Sequence, residues 1–189
     1  MNTIYLIRHG QDKDNAKGIL NGHRNTQLTQ KGEEQARTLA KKLKDYDIDI
    51  LISSPLDRAL RTAKIIGDNI EVKVTIDELL IERDFGILTG KHVTDITEYA
   101  SEVLETDRVT YFLKVEGAED FSELYERARA FLKKINNLYT DKNIAIVTHG
   151  DIGKMIRASF HNWSWEKGLK TPYFDNTEIL TLKGEDIIE

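Results

Sequence analysis

Two short apolar runs, each leading into a histidine and a glycine, dominate the hydrophobic pattern of this 189-residue chain. The runs cover residues 4–7 and 144–147, and they lead into Arg8-His9-Gly10 and Thr148-His149-Gly150. A continuous apolar run that ends at a glycine predicts a strand buried on both faces, as in the parallel sheets of α/β proteins. Because ligands of such sheets bind at the carboxyl ends of the strands, we expect both histidines to lie in one crevice.

The rest of the pattern predicts alternating strands and amphipathic helices. Further strands are predicted over residues 48–52, 72–76 and 179–182. Helices are predicted after the N-cap Thr29, from Ser54-Pro55 onward, over residues 92–106, from Gly117 through Leu138 and over residues 152–160. Strands that alternate with helices of this length indicate the α/β class.

Composition narrows the class of protein. The net charge is -5 and no basic stripe runs along the chain, which argues against a general nucleic-acid or membrane-surface binder. The absence of cysteine excludes thiol nucleophiles, thiolate zinc sites and disulfides. The predicted first strand begins within the first few residues, so we expect no signal peptide, and no apolar run approaches the roughly 18 residues of a membrane span. We therefore expect a cytoplasmic protein, monomeric or homodimeric, with one domain over residues 1–189.

Three charged residues near the predicted strand ends are candidates for anion binding or acid catalysis. Arg8 supplies a permanent planar cation suited to phosphate or carboxylate. Arg58 falls in the first turn of a predicted helix, where unpaired amides also favour an anion. Glu82 lies among apolar neighbours and is a candidate general acid. The segment Gly86–Lys91 is not a nucleotide P-loop, because it has three residues between its glycines and no Ser or Thr after the lysine.

Taken in chain order, these motifs resemble the histidine phosphatase superfamily, also called phosphoglycerate-mutase-like. The matching positions are Arg8-His9-Gly10, Asn15, Asn21-Gly22, Ser53-Ser54-Pro55 with Arg58 and Thr62, Glu82 before Phe85-Gly86, Gly117-Ala118-Glu119 and Thr148-His149-Gly150. The resemblance covers nearly the whole chain and implies a three-layer sandwich with a mostly parallel central sheet flanked by helices. Departures are mild: Asn25, Thr89 and Ala118 stand where the family commonly has aspartate, glutamate and glycine.

The resemblance also implies a role for each matched residue. His9 would be the nucleophile and Glu82 the proton donor to the leaving alcohol. The groups implied to bind the phosphoryl oxygens are Arg8, Asn15, Asn21, Gly22, Arg58, His149 and Gly150. The two arginines and His149 are expected to supply the positive charge, so neither a metal nor another cofactor is expected.

The expected function is a phosphomonoesterase that hydrolyses a small phosphorylated metabolite through phosphohistidine at His9. The alternatives are a cofactor-dependent phosphoglycerate mutase, a protein-phosphohistidine phosphatase and a non-catalytic anion-sensing module. Residues 91–117 are predicted to form a helical cover over the site. That segment carries three basic residues (Lys91, Arg108, Lys114) and six acidic ones (Asp95, Glu98, Glu102, Glu105, Asp107, Glu116), a balance that favours hydrolysis over the mutase reaction.

Overall fold

The computed structural model describes residues 2–184. Its strands are β1 (Thr3–Arg8), β2 (Ile50–Ser53), β3 (Val74–Ile76), β4 (Glu102–Glu105), β5 (Thr110–Lys114), β6 (Asn143–Thr148) and β7 (Ile179–Leu182). Its α-helices are α1 (Gln30–Leu43), α2 (Asp57–Ile70), α3 (Ile96–Tyr99), α4 (Phe121–Leu138), α5 (Gly150–Phe160) and α6 (Trp165–Lys170). Within this described part, no helix is both long and apolar enough to cross a membrane.

The central sheet has the strand order β3-β2-β6-β1-β7. The first four strands are parallel, and β7 runs antiparallel to β1 at one edge. The two apolar runs form the neighbouring central strands β1 and β6, which pair with Arg8 opposite Thr148. The residues that follow each strand, His9 and His149, therefore emerge side by side at the carboxyl edge of the sheet.

Helices cover both faces of this sheet. On one face, Leu6 and Ile146 pack against α4, α5 and α6. On the other face, Ile7 and Val147 pack against α1 and α2. The period of two along a strand sends alternate side chains into the two cores, which is why the runs are apolar throughout. The α/β class and the mostly parallel sheet flanked by helices are confirmed.

The predicted helix over residues 92–106 is wrong. The chain forms a short 3-10 turn over Val93–Asp95, the single turn α3 and then β4, which pairs antiparallel with β5. The apolar spacing fits a helix, but Val103 and Leu104 instead point to two different clusters, as neighbours in a strand do. Pairing with the strand-forming residues of β5 outweighs the local helical period. The segment 91–117 is thus built mainly around a β-hairpin and is not a helical cover.

Helix α2 begins two residues later than the Ser54-Pro55 sequence suggests. Its first residue is Asp57, and the preceding Leu56 offers no side-chain cap. The backbone N–H of Asp57 instead donates to Asn25 Oδ1 at 2.7 Å, while Ser54 Oγ accepts from the N–H of Leu56 at 3.3 Å. An acceptor from a distant loop therefore satisfies the start of the helix that carries Arg58.

The predicted N-cap of α1 is confirmed, and it gives a test of the fold. Thr29 Oγ1 accepts from the N–H of Gly32 at 3.0 Å. We expect Thr29→Ala to lower the free energy of unfolding by about 1 kcal/mol, the typical value of a lost cap. The measurement is urea unfolding, with Thr38→Ala on the exposed side of the same helix as control. A loss that is equal in both variants would mean that the cap contributes nothing.

Candidate active site

A cavity of about 480 Å³ opens where β1 ends. Among the described residues, its lining includes five of the predicted site residues: Arg8, His9, Asn15, Asn21 and Glu82. The wall also contains Arg83, which follows Glu82. Residues from the hairpin, from the start of α5 and from the segment before β7 complete it, including Arg108, Tyr111, Phe112, Asp151, Tyr173 and Asn176. Distant parts of the chain therefore meet around His9.

The His9 ring is buried, and one hydrogen bond fixes which of its nitrogens is free. Nδ1 lies 2.7 Å from the carbonyl oxygen of Gly10, which can only accept, so Nδ1 carries the proton. Nε2 therefore keeps its lone pair. Burial, together with the charges of Arg58 and Arg8, holds the pKa of His9 well below its usual value. His9 is consequently a neutral imidazole, the form that a nucleophile requires.

Arg8 presents part of its guanidinium to the cavity. Its Nη1 donates to the carbonyl oxygen of Phe174 at 3.3 Å, and its guanidinium carbon lies 4.8 Å from the centre of the Tyr173 ring. Its buried Nε has no hydrogen-bond partner within residues 2–184. Arg8 and His9 both line the cavity, so this cation can donate a hydrogen bond to an oxygen of a phosphoryl group bound there.

Arg58 is fully buried behind His9, outside the cavity lining. Its Nη2 and Nη1 donate to the carbonyl oxygens of Gly22 and Arg24, each at 2.8 Å. The counter-charge is Asp12, whose Oδ2 lies 3.9 Å from Arg58 Nε. Burial lowers the pKa of Arg58, and Asp12 opposes this shift. Arg58 therefore places a buried positive charge beside both histidines.

His149 does not supply the positive charge that was expected of it. Arg58 Nε donates to His149 Nδ1 at 3.2 Å, so the proton of the ring is on Nε2, which donates to Ser54 Oγ at 2.7 Å. Burial and the neighbouring Arg58 hold the pKa of His149 well below its usual value. The centres of the two histidine rings lie 5.1 Å apart, as expected for neighbours at one sheet edge, but only His9 is among the residues that line the cavity. His149 contributes a neutral ring that orients Arg58.

Glu82 is held at the N-terminus of α5. Its Oε1 accepts from the backbone N–H groups of Arg83 at 2.9 Å and Ile152 at 3.2 Å, and its Oε2 accepts from that of Asp151 at 3.4 Å. The surroundings of Glu82 are therefore not only apolar, as its sequence neighbours suggested, because backbone amides also contact its carboxylate. The segment is fixed from behind by Arg127 of α4, which donates to the carbonyl oxygen of Ile81 at 2.6 Å.

A second buried carboxyl lies beside Glu82. Asp151 Oδ2 accepts from Arg83 Nε at 2.9 Å. Burial raises the pKa of Asp151 to about 6, although Arg83 lowers it. The cavity thus contains two carboxyl groups, Glu82 and Asp151, either of which is a candidate general acid and base.

The remaining predicted residues surround this centre. Asn21 Nδ2 donates to Asp12 Oδ2 at 3.0 Å, and Asn15 Oδ1 accepts from Asn176 Nδ2 at 3.5 Å. Gly22, with φ of 45°, turns its carbonyl oxygen toward Arg58. At Gly150 a Cβ would collide with the hydroxyl of Tyr173, so a larger residue there would displace the Tyr173 side chain. Like Arg58 and His149, these two glycines lie outside the described lining of the cavity.

The sequence reasoning missed several residues of the site. Asp12, Arg83 and Asp151 follow His9, Glu82 and Gly150 within three positions, and this closeness to the motifs was an available signal. Tyr111 and Tyr173 gave no signal, because nothing in the local sequence indicates that they reach the cavity. Within residues 2–184, no group of three or more histidine, aspartate or glutamate side chains could hold a metal ion.

Curated relatives support the resemblance. Over 153 residues the chain is 35% identical to "Putative phosphoserine phosphatase 2" of Hydrogenobacter thermophilus, which covers 79% of this chain and 74% of the relative. It is 33% identical to "Probable phosphoglycerate mutase GpmB" of Escherichia coli over 152 residues, 79% of this chain and 70% of the relative. These relatives carry names of both hydrolytic and mutase enzymes.

A solved structure has the same fold. The crystal structure of phosphoserine phosphatase from Entamoeba histolytica in complex with 3-phosphoglyceric acid superposes with a TM-score of 0.81 at 26% identity, over 96% of this chain and 90% of the other. The family model described as "Histidine phosphatase superfamily (branch 1)" matches residues 4–186, nearly the whole chain. With its motif order, its sheet and its relatives in agreement, the chain belongs to branch 1 of the histidine phosphatase superfamily.

Proposed function

We propose that the protein is a phosphomonoesterase that hydrolyses a small phosphate ester through a phosphohistidine intermediate on His9. The observation that carries this proposal is the free Nε2 of a neutral, buried His9, which is fixed by the bond from Nδ1 to Gly10 and stands next to Arg8. An imidazole nitrogen with its lone pair facing a cavity and cations nearby can receive a phosphoryl group.

The reaction proceeds in two displacements. His9 Nε2 attacks phosphorus, the bond to the ester oxygen breaks, and a carboxyl group protonates the leaving alcohol. Water then attacks the phosphohistidine, the same carboxylate takes a proton from it, and inorganic phosphate leaves. Arg8 and Arg58 stabilise the charge on the transferring group. Glu82 is the proposed acid and base, with Asp151 as the rival.

The substrate class follows from the relatives' names. One relative is named a phosphoserine phosphatase, and a similar solved structure contains 3-phosphoglyceric acid. Both are small phosphorylated compounds, and a cavity of about 480 Å³ suits a ligand of that size. We infer a small phosphorylated metabolite as substrate.

We expect His9→Ala to abolish turnover, because no nucleophile remains. His149→Ala should be slow but still phosphorylated, because the ring of His149 orients Arg58 and does not react. The measurement is trapping with labelled substrate, which should give one acid-labile, base-stable phosphoryl group on His9. A phosphoryl group on another residue, or normal activity of His9→Ala, would contradict the mechanism.

Replacing Glu82 should affect substrates according to their leaving group. We expect Glu82→Gln to slow alkyl esters by roughly a hundred- to ten-thousand-fold, the range of a lost general acid. The same substitution should slow the hydrolysis of nitrophenyl phosphate much less, because its leaving group needs little protonation. Asp151→Asn is the matched comparison, and we expect it to slow both substrates to a similar extent. If only Asp151→Asn distinguishes the two substrates, then Asp151 is the acid.

The mutase reaction is the second candidate, since one relative is named a probable phosphoglycerate mutase. A mutase must retain a doubly phosphorylated intermediate. The cavity offers little free charge for this: Arg108 is paired with Asp175 at 2.7 Å, and Arg83 is paired with Asp151.

We therefore expect hydrolysis to be faster than isomerisation. The test is incubation of 3-phosphoglycerate with enzyme primed by 2,3-bisphosphoglycerate, with and without EDTA. Phosphate release should exceed formation of 2-phosphoglycerate and should not respond to EDTA. Much faster formation of 2-phosphoglycerate would establish the mutase instead.

A further inference from the structure

Two buried donors in the cavity wall have no role in the reaction described above. Arg83 Nη2 and Tyr111 Oη have no hydrogen-bond partner within residues 2–184, and both residues line the cavity. The side chains are almost completely buried, with 1% of Arg83 and 2% of Tyr111 exposed. A buried donor without a partner is unfavourable in a folded protein, and a ligand that supplies the acceptor removes this cost.

Arg83 is fixed on every side except at Nη2. Its Nε donates to Asp151, and its Nη1 donates to the carbonyl oxygen of Phe112 at 3.0 Å. The guanidinium carbon lies 3.9 Å from the centre of the Phe112 ring and 4.0 Å from that of Phe121. The guanidinium is therefore held in one orientation, and both N–H groups of Nη2 remain available.

Tyr111 brings the second donor to the same aromatic cluster. It precedes Phe112 on β5, and its ring packs edge-on against Phe121 with the ring centres 5.9 Å apart. Arg83 stacks on that same Phe121 ring. Burial raises the pKa of Tyr111, so its hydroxyl stays protonated and can donate.

The charges around these donors define the group that they can bind. Arg83 can only donate and the Tyr111 hydroxyl can donate as well, so the pair is suited to a group that accepts two hydrogen bonds. Carboxylate oxygens meet this requirement, and a carboxylate adds one negative charge. Because Asp151 already neutralises much of the charge of Arg83, a dianionic second phosphate would be less well balanced there.

We propose that Arg83 and Tyr111 form a subsite for the leaving group, and that they bind a carboxylate on the short carbon chain that bears the phosphate ester. This assignment rests on the proposed phosphatase function. Arg8 and His9 hold the phosphoryl end of the substrate, and the aromatic cluster of Phe112 and Phe121 positions the carboxylate end within the same cavity.

Matched pairs of esters test the assignment. Glycerol 3-phosphate differs from 3-phosphoglycerate by a hydroxymethyl group in place of the carboxylate, and phosphoethanolamine is phosphoserine without its carboxylate. We expect kcat/KM of the wild type to favour the carboxylate member of a pair by at least about tenfold, as expected for hydrogen bonds to a charged group. Tyr111→Phe and Arg83→Gln should each reduce that preference by about tenfold.

The ratio within a pair separates recognition from folding, because a loss of folded enzyme affects both esters equally. Tyr111→Phe also removes a hydroxyl that makes no hydrogen bond to any of the described residues 2–184, so it should fold normally. Tyr139→Phe, at the far end of α4, is the control and should keep the wild-type ratio.

The outcomes distinguish this assignment from the function on which it rests. Equal kcat/KM for both members of each pair in the wild type, or a preference that survives in both variants, would overturn the subsite alone. Failure to hydrolyse any of the four esters and nitrophenyl phosphate would overturn the proposed phosphatase function, and the subsite with it.

Discussion

The hydrogen bond from His9 Nδ1 to the carbonyl oxygen of Gly10 is the contact on which the chemistry of this site depends. It leaves the lone pair of the neutral ring on Nε2. A Cβ on Gly10 would collide with the backbone of Gly32 in α1, so the residue that accepts this bond is packed tightly against a helix. A local hydrogen bond and a tertiary contact therefore act together on the tautomer of His9.

The positive charge near the His9 ring is carried by Arg8 and Arg58. Arg58 is fully buried, and its charge is balanced by Asp12, whose carboxylate also accepts from the N–H groups of Asp14 and Asn15. The loop after β1 is therefore folded around the counter-ion of the arginine. Burial, together with the charges of Arg58 and Arg8, lowers the pKa of both histidines. In the proposed mechanism the two arginines therefore supply the positive charge for the phosphoryl group.

The sequence alone was sufficient to predict the strands and helices that have a strong local hydrophobic pattern. The apolar runs of β1 and β6 and the amphipathic faces of α1 and α4 have only one reasonable interpretation, and their order along the chain placed both histidines at one sheet edge. The hairpin of β4 and β5 could not be predicted in this way, because its residues become strands only by pairing with each other. The same limit applies to Tyr111 and Tyr173, which reach the cavity through tertiary contacts that no spacing encodes.

The most direct test of the account is the protonation of the His9 ring in the free enzyme. Side-chain ¹⁵N NMR at pH 6.5, with the resonances assigned by comparison with His9→Gln, distinguishes the two neutral tautomers from the imidazolium. The account predicts a neutral ring with its proton on Nδ1, because Gly10 accepts that proton and burial beside Arg58 and Arg8 lowers the pKa. A proton on Nε2, or a charged ring at that pH, would contradict the assignment of His9 as nucleophile.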